Sequence, residues 1–96
     1  MESSMIRDIL RRRLRFLLRN DPTSMVFADI KNPTSIHVTV VLNDDFDPST
    51  LTGLGLKYKR ALEDLNMFKV TVLNKTNHYH RKPDTMLVWS KKGGFT

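Results

Sequence analysis

From Ser3 to Asn20 the apolar positions recur at helical spacing. At roughly 100° per residue, Met5, Ile6, Ile9, Leu10, Phe16 and Leu17 share one arc, and Arg7, Arg11, Arg12, Arg15 and Arg19 fill the opposite one. The pattern predicts an amphipathic helix. Ser3 or Ser4 can cap its start, and Asp8 sits early, where a carboxylate suits the helix dipole. Arg13 falls in the middle of the apolar arc. A guanidinium buried alone is costly, so Arg13 is expected to reach an acid such as Asp29, to snorkel along the helix, or to sit at an interface.

The period then shortens to two. Met25–Ile30 and Ser35–Leu42 read as strands, the second placing Ile36, Val38, Val40 and Leu42 on one face and His37, Thr39 and Val41 on the other. Asn32-Pro33-Thr34 joins them as a hairpin. Asp47-Pro48 opens a second helix, with an aspartate cap and a proline at the first helical position. Leu51, Leu54, Tyr58, Leu62 and Leu65 form its buried stripe, while Lys57, Lys59, Arg60, Glu63 and Asp64 take the wet side. Arg60 and Asp64 are spaced to pair. Gly53 and Gly55 weaken the first turns, so the firm helix is expected to begin near Leu56. Met67–Leu73 and Thr85–Lys91 complete the chain as strands, and the segment between them reads as a polar hairpin loop.

The order is helix, strand, strand, helix, strand, strand. It predicts a single α+β domain over residues 1–96, a two-layer sandwich with a four-stranded, mainly antiparallel sheet and both helices on one face. The uncovered sheet face would carry His37, Thr39, Val41, Lys69, Thr71 and Leu73, a mixture suited to a nucleic-acid platform or a subunit interface.

Charge changes the picture. The 96 residues hold 16 Lys and Arg against 10 Asp and Glu, a net charge of +6, and no cysteine. The balance favours polyanionic partners. The lack of cysteine excludes disulfides and thiolate metal sites, and fits the cytoplasm or another reducing compartment. No apolar run approaches the ~20 residues of a membrane span, so no membrane insertion is expected. Glu2 and Asp8 argue against a transit peptide.

Two basic segments stand out. Six arginines on the first helix face a single acid, Asp8, and guanidinium matches phosphate with a planar fork. Lys75, His78, His80, Arg81 and Lys82 cluster in the connection before the last strand, beside Tyr79, which can stack on a base. These residues give the main expectation: a small nucleic-acid-binding protein without catalytic activity or cofactor. Phosphates of DNA or RNA would be held by Arg7, Arg11, Arg12, Arg15 and Arg19 and by the basic hairpin, Lys75 to Lys82. Size and charge would equally suit a protein-interaction or accessory subunit, homodimeric or belonging to a phage or virus. A third reading gathers Asp44, Asp45 and Asp47 around a metal as a nuclease. His78 and His80 would share one side of a strand, but zinc needs at least one further ligand, and Asp47 is already a helix cap.

Overall fold

A computed structural model describes residues 3–77 and 79–96. The elements are α1 (Ser3–Asn20), β1 (Thr23–Asn32), β2 (Ser35–Leu42), α2 (Pro48–Leu62), β3 (Phe68–Leu73), β4 (Met86–Ser90) and β5 (Gly94–Phe95). The chain is α+β, with two helices and a mixed five-stranded sheet ordered β3-β2-β1-β4-β5. The four-stranded expectation is corrected on two counts. A fifth strand follows the Lys91–Gly93 turn, where Gly94 takes a φ of 70°, a left-handed conformation free of strain for glycine. And β3 runs parallel to β2, because α2 spans the return between them as a crossover.

That parallel pair decides the rest. β4 and β2 both run antiparallel to β1, so β3 and β4 share a direction and are separated by β2 and β1. Residues 74–85 therefore form a second crossover, not the hairpin expected. Since α2 carries the chain outward over one face, a right-handed return must use the other face. The contacts agree: Tyr79 packs on Phe27 of β1, with ring centroids 4.6 Å apart. The connection is a strap across the face opposite the helices.

The helix face holds the core. Ile6, Leu10, Leu14 and Leu18 of α1 are buried with Val26, Ala28, Ile36, Val38, Val40, Leu42, Leu54, Tyr58 and Leu62. The spacing of four from Ile6 to Leu18 sets the buried meridian of α1 to one side of the expected arc. Met5 and Phe16 are left in solvent, 52% and 71% exposed. Arg13 moves to the flank facing α2. There it makes a bidentate pair with Asp64, Nη1 and Nη2 donating at 2.7 and 2.9 Å. This hydrogen-bonded pairing raises the Arg13 pKa and lowers that of Asp64. Asp29, the acid first expected, meets Lys82 at 3.8 Å, and Asp64 is taken by Arg13 rather than by Arg60.

Helix α2 begins at Pro48 despite its glycines. Asp47 caps it, accepting from Thr50 N and from the Ser49 and Thr50 hydroxyls. The Ser49 and Thr50 hydroxyls, followed by the Thr50 amide, hold the Asp47 carboxyl down at about 2. In the core, the Tyr58 hydroxyl and Thr23 Oγ1 share a 2.8 Å hydrogen bond. Burial, opposed by that bond, pushes the Tyr58 phenol up to about 12.

Candidate nucleic-acid interface

The two basic segments lie on opposite sides of the sheet. Helix α1 covers the core face, and the strap covers the other. They do not converge into one surface, and their cations meet different fates.

On α1 the arginines divide by angle. Arg7 and Arg11 lie on the flank toward β4 and β5. Arg7 Nε donates to Met86 Sδ and its Nη1 to Thr96 Oγ1 at 3.2 Å. Arg11 sits 5.9 Å from the centroid of the Phe95 ring. Arg12, Arg15 and Arg19 point outward, with Phe16, in an arc of about 100°. Arg12 makes one bond, from Nε to the Asp8 carbonyl at 3.3 Å. Among the described residues neither Arg15 nor Arg19 has a hydrogen-bond or ion-pair partner. Asp8 is the one acid on α1, and no core contact holds Phe16.

The strap spends more of its polar groups internally. Its start is pinned to the β2–α2 loop: Phe46 N donates to Asn74 Oδ1, and Asn74 Nδ2 donates to Phe46 O, both at 3.0 Å. Thr76 N donates to Asp45 Oδ1 at 2.9 Å. Tyr79 is half-buried, one side of its ring against Phe27. Arg81 lies 5.4 Å from the Phe27 centroid and donates twice to the Thr85 carbonyl. Lys82 reaches Asp29. Lys75 and His80 are exposed; His78 lies outside the described residues. Tyr79, His80 and Lys82 close a cavity of about 190 Å³ over Asp29, Lys31, His37, Thr39 and Thr85. Under the strap, Phe27, Thr39 and Val41 are buried, so over β1 and β2 this face is covered rather than free.

The acids of the metal reading are dispersed among local tasks. Asp44 Oδ1 accepts from Asp45 N, Asp45 holds Thr76, and Asp47 caps α2. His37 Nε2 bonds Thr71 Oγ1 at 2.7 Å. Among the described residues no three His, Asp or Glu side chains gather as metal ligands, and no helix is long and apolar enough to cross a membrane.

Phe16 was missed in the sequence because the expected arc included it. The spacing of Ile6, Leu10, Leu14 and Leu18 was the available signal, since that series leaves Phe16 off the buried side. No family model, curated protein or solved structure matches this chain, so its reading rests on this geometry.

Proposed function

We propose that this chain binds single-stranded nucleic acid, DNA or RNA, through the outer face of α1. Arg12, Arg15 and Arg19 contact phosphates, and Phe16 offers a ring on which a base stacks. The observation carrying the reading is Phe16 itself: a phenyl ring 71% exposed, flanked on its own helix by Arg15 and Arg19, which have no partner among the described residues, and by Arg12, which makes a single bond to the Asp8 carbonyl. Cations that track a backbone beside an aromatic platform are the recurring chemistry of single-strand binding, indifferent to sequence because every base has a π-face. A solvated face needs charge, but it does not need a bare phenyl ring.

The strap has a weaker claim. Arg81 and Lys82 are tethered, Tyr79 has one ring face occupied, and Asp29, Asp44, Asp45 and Asp84 lie in or beside it. Fluorescence anisotropy with a labelled oligonucleotide tests the reading. Three phosphate contacts on a single strand predict a slope near −2 in log K against log salt, or about sixteenfold weaker binding at 200 mM than at 50 mM. Combined Arg12→Glu, Arg15→Glu and Arg19→Glu substitutions should abolish binding, whereas Lys75→Glu with His80→Glu on the strap should leave most of it. Wild-type affinity in the α1 triple variant overturns the proposal.

A further inference from the structure

The two edges of the sheet are not alike. β5 is only two residues long, and Thr96 just beyond it bonds back to β4, its N–H donating to Val88 O and its hydroxyl to Leu87 O. β3 runs six residues, FKVTVL, without proline or bulge. Ile36 N donates to Met67 O, and bonds in a parallel ladder alternate along the strand. The peptide groups of Lys69, Thr71 and Leu73 therefore face β2, and those of Phe68, Val70 and Val72 face outward. Phe68 N is used by Leu65 O; Val70 and Val72 present their N–H and C=O groups to solvent. Open rows of this kind template the addition of another strand.

We propose that a second copy of this chain pairs with the β3 edge, antiparallel and centred on Val70, so that two sheets join into one. The self-complementarity of the strand carries this choice of partner. Antiparallel pairing must oppose outward-facing peptide groups, and the register centred on Val70 pairs Phe68 through Val72 with the same residues of the second copy. It sets Val70 against Val70 and Phe68 against Val72, all on the helix face. On the other face it sets Lys69 against Thr71, so no like charges meet. The register centred one residue earlier would oppose Lys69 to Lys69, which is unfavourable.

A groove supports the same partner. About 350 Å³ of space lies between α2 and the outer side of β3, lined by Leu51, Gly55, Leu56, Lys59, Val70 and Val72. In the Val70-centred register, Phe68 of the second copy stands beside Val72, over this groove. Gly55 keeps that side of α2 low. A Cβ there would meet only Val72 Cγ2, at 4.0 Å, so internal packing does not demand the glycine, which costs a helix interior about 1 kcal/mol relative to alanine.

Sedimentation equilibrium without nucleic acid tests the pairing independently of the α1 reading. Wild-type protein should approach twice the monomer mass as concentration rises, and amide exchange at Val70 and Val72 should slow in step. Thr71→Lys places a lysine opposite Lys69 twice per interface and should weaken the dimer about tenfold. Adding Lys69→Glu turns both contacts into opposite-charge pairs and should restore it. Far-UV circular dichroism checks that each variant is folded. A protein that stays monomeric throughout, including one that binds only an extended peptide of other sequence, overturns the proposal. So does a dimer that Thr71→Lys does not weaken, or that the double variant fails to recover.

Discussion

Phe16 and Phe27 are both phenylalanines among arginines, and the fold treats them oppositely. Phe27 is 5% exposed, with Tyr79 on its ring and the Arg81 guanidinium 5.4 Å from its centroid. Phe16 stands 71% in solvent beside Arg12, Arg15 and Arg19. Around Phe27 the aromatic and the cation serve each other, and the result is a fastened strap. Around Phe16 the ring is left bare, and of the three cations only Arg12 makes a bond, to the Asp8 carbonyl. A cation's value for an outside partner depends on how much the fold has already asked of it, which a count of lysines and arginines does not report.

The comparison breaks most sharply at the buried ring. Phe27→Ala should cost about 3 kcal/mol in urea unfolding and should raise amide exchange along residues 79–82. If stability barely changes, the strap is not anchored there. Phe16→Ala should leave stability within about 0.5 kcal/mol yet weaken oligonucleotide binding about fivefold or more, the lower end of stacking energies of about 1–3 kcal/mol per base. Unchanged affinity would reduce Phe16 to an incidental exposed ring. Arg13 supplies an intermediate case, a cation on α1 already committed to Asp64. Asp64→Asn should release it and tighten binding roughly twofold at low salt, read by the same anisotropy titration.

The smallest effect touches neither ring. Asp47 titrates near 2 in the folded chain, below its ordinary value of 3.8. A depressed carboxyl adds stability that is present above about pH 4 and is lost as pH falls toward 2. Asp47→Asn should flatten the pH dependence of the urea midpoint over that window. A slope identical to wild type would mean that the cap's charge does not matter.

Much of the fold was legible in the sequence. The span of α1, the alternation of β2, the Asn32-Pro33-Thr34 turn and the Asp47-Pro48 helix start all follow from local chemistry, and all lie where that chemistry puts them. What escaped was non-local. The residues of 74–85 are polar whether they turn a hairpin or cross two strands, and only the direction of β3 distinguishes the cases. β5 escaped because it begins on the second of the paired glycines Gly93 and Gly94, which read as an ending. The site was less legible, through a single choice of angle. Drawing the α1 arc through Met5, Ile6, Ile9, Leu10, Phe16 and Leu17 put Arg13 at its middle and Phe16 within it. Centring it on Ile6, Leu10, Leu14 and Leu18 sends Arg13 to Asp64 and Phe16 to solvent. The packing of Tyr79 escaped because the ring beneath it, Phe27, is distant in the chain.

The direction of the twofold in a β3-joined pair has a consequence for reach. Such an axis stands perpendicular to the sheet, so both helix layers face the same way. With strands about 4.8 Å apart and α1 above the β1–β4 side, the two arginine-bearing helices would lie roughly 30 Å from one another. An oligomer of bases too short for that distance would engage one subunit. A longer one would bridge both and gain avidity without any new contact, so the affinity of the pair would climb abruptly at the strand length that closes the gap.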